Sequence, residues 1–174
     1  MNLKNEILYE HSKRNMLRSG KLIGSDKSKF KILIKMMLGN VIREQQLAAA
    51  VFFHCIEANP SWLAKHIPSL VKKIQMDETH NALRRNFFRV LQYRSISQKH
   101  QGIIYNLGMD RMLDIKETVA VKAFAMTALF NICKEEPELK NELALVIKDV
   151  MRCGKVAVTG RGSKILRVMD KGLK

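Results

Sequence analysis

Apolar residues recur in this chain at two nested periods, and few folds accommodate both. The short period is helical. Between Thr118 and Cys133, the residues Val121, Phe124, Ala125, Ala128, Leu129 and Ile132 fall on one helical stripe. After Glu136-Pro137 the stripe restarts as Leu139, Leu143, Val146, Ile147 and Val150, so a second helix turns back against the first. The same arrangement occurs earlier: Leu47, Ala48, Val51, Phe52 and Cys55, then Asn59-Pro60, then Leu63, Ile67, Leu70 and Ile74. Asn59 is expected as an N-cap and Pro60 as the first helical residue. Superposing Pro60 on Pro137, an offset of 77 residues, sets Leu47 on Phe124, Phe52 on Leu129 and Leu70 on Ile147, apolar on apolar.

Half of that offset predicts a further pair. Leu83, Phe87, Val90 and Leu91 supply its first helix, and Ser97 caps a second one carrying Ile103, Ile104 and Leu107. The equivalent positions Phe52, Leu91, Leu129 and Leu166 are spaced by 39, 38 and 37 residues, a unit length that holds two helices. A helix near 3–18 and another near 27–38, with Phe30, Leu33, Ile34 and Met37, form a divergent first pair. A last helix near 160–172 closes the stack. Ser19 to Ser25 and Gly154 to Gly162 read as connections. The expectation is an all-α chain, a right-handed α-α superhelix of about four and a half helix pairs, forming a single domain over 1–174.

The segments AVKAFAMTALFNICKEEPELKNEL (Ala120–Leu143), LRRNFFRVLQ (Leu83–Gln92) and RGSKIL (Arg161–Leu166) resemble the HEAT and armadillo superfamily. Within it they are most similar to small bacterial HEAT-like proteins, over about residues 40–170. The resemblance implies a fold and no particular reaction. Some members carry enzyme names such as adenylosuccinate lyase, but that lyase's flexible Ser-Ser loop is missing here, and GRGSK at Gly160–Lys164 does not match it.

Composition narrows the class further. With 31 Lys+Arg against 16 Asp+Glu the formal charge is +15, while 47% hydrophobic residues exclude a disordered basic tail. Only 9 Gly and 3 Pro leave too few turn residues for an all-β architecture. Cys55, Cys133 and Cys153 are widely spaced and form no CxxC pair, which points to a reducing compartment. The charged segment Met1 to Ser19 lacks the apolar core of a secretory signal, and no apolar run reaches membrane-span length. A soluble cytoplasmic protein is expected, with no membrane partner.

No catalytic or metal constellation stands out. His11, His54, His66, His80 and His100 are scattered without metal-ligand spacing, and no GxSxG, Walker or GxGxxG motif occurs. No cofactor is expected. Cys55 and Cys133 lie on inward stripes as small apolar side chains. Trp62 invites comparison with HEAT-like alkylpurine glycosylases, yet it starts an apolar stripe and reads as a core or turn-packing residue.

The charge is the main functional clue. Lys72, Lys73, Arg84, Arg85 and Arg89 form the densest cluster on adjoining helices and read as a basic binding patch. Gly160-Arg161-Gly162, read as the opening of the last helix, suggests an anion site at Arg161, Gly162 and Lys164. Lys27, Lys29, Lys31 and Lys35 mix faces and read in part as plain solvation. These features favour a non-catalytic scaffold for another macromolecule, most readily a protein with an acidic surface. The alternative is a nucleic-acid-binding repeat protein using the same cations, and the remote one an enzyme of the glycosylase or lyase kind.

Overall fold

The computed structural model describes residues 2–76 and 78–172. Among these residues there are ten α-helices and no strand. The helices are α1 (Leu3–Leu8), α2 (Lys13–Ile23), α3 (Lys27–Leu38), α4 (Ile42–Ala58), α5 (Leu63–Ile74), α6 (Asn81–Leu91), α7 (Gln98–Leu113), α8 (Val119–Cys133), α9 (Lys140–Met151) and α10 (Val156–Asp170). Short 3-10 turns, Pro60–Trp62 and Pro137–Leu139, open α5 and α9. Proline suits these positions because its fixed φ fits a helix start and its missing N–H has no partner there to lose. A helix stands at each position the repeat predicts from α4 to α9.

The chain forms two compact units, Met1–Val90 and Leu91–Lys174. In the first, α4 packs against α1, α2 and α3. That central place explains its composition: Ala48, Ala49, Ala50, Val51, Phe52, Phe53, Cys55 and Ile56 are buried all round the helix. In the second unit α8 has the equivalent role, touching α7, α9 and α10. Val121, Ala125, Ala128, Leu129 and Ile132 are buried as the stripe predicts, and so are Ala123, Met126, Phe130 and Cys133 on its other sides. A helix apolar on every side belongs inside a layer of helices.

The N-terminal pair departs from expectation. The helix expected over 3–18 is two helices, because Ser12 caps α2 by accepting the Asn15 N–H at 3.0 Å. Buried Asn15 then donates its side-chain N–H to the carbonyls of Glu6, Ile7 and Glu10, which end α1. Residues 19–23 belong to α2 rather than to a connection, and the turn comes at Gly24, whose φ of +50° favours glycine. Asn59 does not cap α5 with its side chain. It donates instead to the Gly24 carbonyl at 3.0 Å and thereby closes the end of α2.

Several polar links join residues about one repeat apart. Besides Asn59 to Gly24, the Gln45 side-chain Oε1 accepts the His80 backbone N–H, and Lys73 Nζ donates to Asn40 Oδ1. In the second unit Gln101 donates to Glu135, Asn131 to the Gln92 carbonyl, and the Tyr105 hydroxyl to the Leu139 carbonyl. Their sequence separations run from 33 to 39 residues. Burial and the nearby Glu142 carboxylate raise the pKa of that hydroxyl, keeping it a donor.

Candidate interaction surfaces

The five cations of the predicted basic patch do not form one open face. Lys72 and Arg85 are exposed. Lys73 is buried, its ammonium held by Asn40 Oδ1 at 2.9 Å. Arg84 turns inward and donates to the Thr79 carbonyl at 2.7 Å. Arg89 lays its guanidinium over the Phe53 ring, 3.8 Å from the centroid. Three of the five therefore serve the fold, because α6 turns Arg84 and Arg89 toward its neighbours and only Arg85 outward.

The predicted anion site rests on a helix opening that lies elsewhere. α10 starts at Val156, so Gly160-Arg161-Gly162 sits inside it. Arg161 donates to Thr127 Oγ1 at 2.7 Å and to Gln92 Oε1 at 3.2 Å, and is thus spent on α8 and the Leu91–Gln92 corner. Gly162 is buried against α9: a Cβ there would come within 2.5 Å of Met151 Sδ. Lys164 alone of the three is exposed.

The structure brings together a different group. Lys27 and Lys31 lie one turn apart on the exposed side of α3, Trp62 and His66 one turn apart at the start of α5, and Lys65 stands beside them. With Ser28, Ser61 and buried Phe30 they line a cavity of about 470 Å³ in the first unit. Phe30 is its floor, with ring centroids 4.7 Å from Trp62 and 5.5 Å from His66. No carboxylate is among the lining residues. Burial, and then the Lys65 charge, lower the His66 pKa below 6.5, so the imidazole is a neutral wall at neutral pH. A concave, partly aromatic space with a cationic rim is equipped to hold an anion that carries an apolar group.

Sequence reasoning missed this cavity, although a signal was present. Lys27 and Lys31 are i, i+4, while Lys29 points elsewhere, donating to the Leu22 carbonyl at 3.0 Å. Trp62 and His66 have the same spacing. The residues joining the two helices across the cavity, however, lie more than thirty positions apart, and only the fold pairs them.

A smaller cavity of about 350 Å³ in the second unit is lined by Gln92, Tyr93, Gln101, Asn131 and Glu135 among others. Its polar groups largely answer one another, with Gln101 donating to Glu135 Oε2 at 2.6 Å and to the Ile96 carbonyl at 3.1 Å. Cys55 and Cys133 are buried, and burial pushes both thiols up to about 12, so they pack as apolar side chains. Among the described residues no group of His, Cys, Asp or Glu is placed to hold a metal, and no helix is long and apolar enough to cross a membrane.

A family model described as a HEAT repeat domain matches residues 3–168. No curated protein and no solved structure matches the chain.

Proposed function

Because this chain belongs to the HEAT repeat domain family, we propose that it is a non-catalytic scaffold whose helix pairs present surface to a protein with an acidic face. The observation that carries this reading is the convergence of Lys27, Lys31 and Lys65 on one cavity that has no carboxylate in its lining. Like charges gathered on one rim repel one another, and an acidic partner would offset that repulsion. A cytoplasmic setting fits three free thiols in one chain.

The test is fluorescence anisotropy of labelled polyglutamate, single-stranded DNA and double-stranded DNA at low and at near-physiological salt. It compares the wild type with a Lys27→Glu/Lys31→Glu/Lys65→Glu variant and with an Arg84→Ala/Arg85→Ala/Arg89→Ala variant. The reading expects polyglutamate binding that persists at about 0.15 M salt and is lost in the lysine variant alone. Tighter binding of either DNA at that salt would make nucleic acid the partner. Equal loss of all binding with added salt would reduce the charge to non-specific attraction.

A further inference from the structure

We infer that the cavity between α3 and α5 is an anchor pocket for a single aromatic side chain of an acidic peptide segment. This rests on the acidic-partner reading and names what the site would select. The floor and walls are rings: Phe30, 3% exposed, lies under the half-buried Trp62 and His66. An entering ring meets ring faces and edges there, the arrangement that adds attraction beyond area burial alone. The rim is formed by the exposed Lys27, Lys31 and Lys65, so carboxylates on either side of the entering ring meet ammonium groups as it seats. Ser28 and Ser61 add hydroxyls that can serve the backbone of a bound segment. An apolar centre ringed by polar groups is the pattern that concentrates binding energy in one inserted residue.

The same features argue against the other anionic polymers. Single-stranded nucleic acid is held by successive stacking platforms along a basic track, whereas Trp62 is the one tryptophan of the chain and belongs to a single local pocket. The cations here are all lysines. The rim therefore lacks the arginine fork that grips phosphate through two parallel hydrogen bonds. Lysines suit carboxylates that arrive from different directions around a central ring.

Because Trp62 is the sole tryptophan, its fluorescence reports occupancy of the cavity in the unmodified protein. The full chain is titrated, at near-physiological salt, with two synthetic heptapeptides and a thymidine oligonucleotide. The first peptide has a central phenylalanine between runs of glutamate, and the second has alanine in its place. The phenylalanine peptide is expected to change Trp62 emission saturably and to bind about tenfold more tightly than the alanine peptide. A Lys27→Gln/Lys31→Gln/Lys65→Gln variant, altered only at exposed positions, is expected to weaken both peptides while keeping the wild-type thermal melt. If the two peptides bind equally and Trp62 emission stays unchanged, the anchor pocket is overturned and the acidic-partner reading survives. If neither peptide binds, or the oligonucleotide perturbs Trp62 at lower concentration, both fall.

Discussion

Gln45 reaches His80 across 35 residues of sequence, and in doing so joins the start of α4 to the start of α6. Its side-chain Oε1 accepts the His80 backbone N–H at 2.9 Å, and its amide donates to the Gly39 carbonyl at 2.7 Å. Gln45 itself is 1% exposed, so its amide is shielded from water at its own end of both bonds. Gln45→Leu keeps the apolar stem and removes both partners at once. The expected loss is about 1 to 3 kcal/mol, read from the urea midpoint at unchanged m-value.

Two glycines of α10 answer opposite questions. Gly160 is exposed, and a Cβ there meets nothing within 4 Å, so Gly160→Ala is expected to stabilise by about 0.5 to 1 kcal/mol through helix propensity. Gly162, two positions on, faces Met151 and Ile147 too closely for a methyl group. Gly162→Ala is expected to destabilise by about 1 to 3 kcal/mol as α10 is pushed off α9. Thermal melts of the two variants should move in opposite directions.

Asn15 is the device that ends α1. Replacing it with leucine removes the side-chain donor shared by the Glu6, Ile7 and Glu10 carbonyls, of which Glu6 keeps the Tyr9 N–H, at a site that is 3% exposed, with an expected cost of about 1 to 3 kcal/mol. Hydrogen exchange should quicken first in α1 and α2, with the second unit unaffected.

Acidification is expected to weaken the fold. Burial lowers the pKa of His66, His80 and His100 below 6.5, and adjacent cations act in the same direction: Lys65 on His66, Arg84, Arg85 and His11 on His80, Lys99 on His100. In the unfolded chain these histidines take up protons near 6.5, while in the folded chain they stay neutral to lower pH. The unfolded state thus binds more protons as pH drops through 6.5, and stability falls until the folded values are passed. His80 adds a second cause, since its Nδ1 accepts the Ala82 N–H at 3.1 Å and a protonated ring would lose that cap of α6. Urea titrations between pH 8 and pH 5 should show a declining midpoint, with a smaller decline in His80→Asn.

Thiol labelling should separate the cysteines. Cys153 is exposed, whereas Cys55 and Cys133 are buried with thiols pushed up to about 12. An aromatic disulfide reagent is expected to modify one thiol per native chain quickly, and the other two only on unfolding.

The helix pairs were legible because Pro60 and Pro137 mark matching corners and the apolar stripes of α4 and α8 repeat around them. The break at residues 9–12 was not, since a continuous charged segment hides a cap that only Asn15's three carbonyl partners reveal. The start of α10 was misplaced because glycine usually marks a helix end, whereas Gly162 marks a close crossing. Cations were the least legible of all. Sequence gives their number, but whether Arg89 faces water or Phe53, or Arg161 faces an anion or Thr127, depends on which neighbour lies over each helix face.

The polar links that span one repeat also bear on how quickly the chain can fold. Each closes a loop of similar, modest length, so the entropic cost of closure is nearly the same at each of these links. The bond from Arg161 to Gln92 spans 69 residues, yet Thr127 of α8 holds the same guanidinium, and Asn131 of α8 holds the Gln92 backbone. Once α8 has docked, that longest closure is already divided into two short ones.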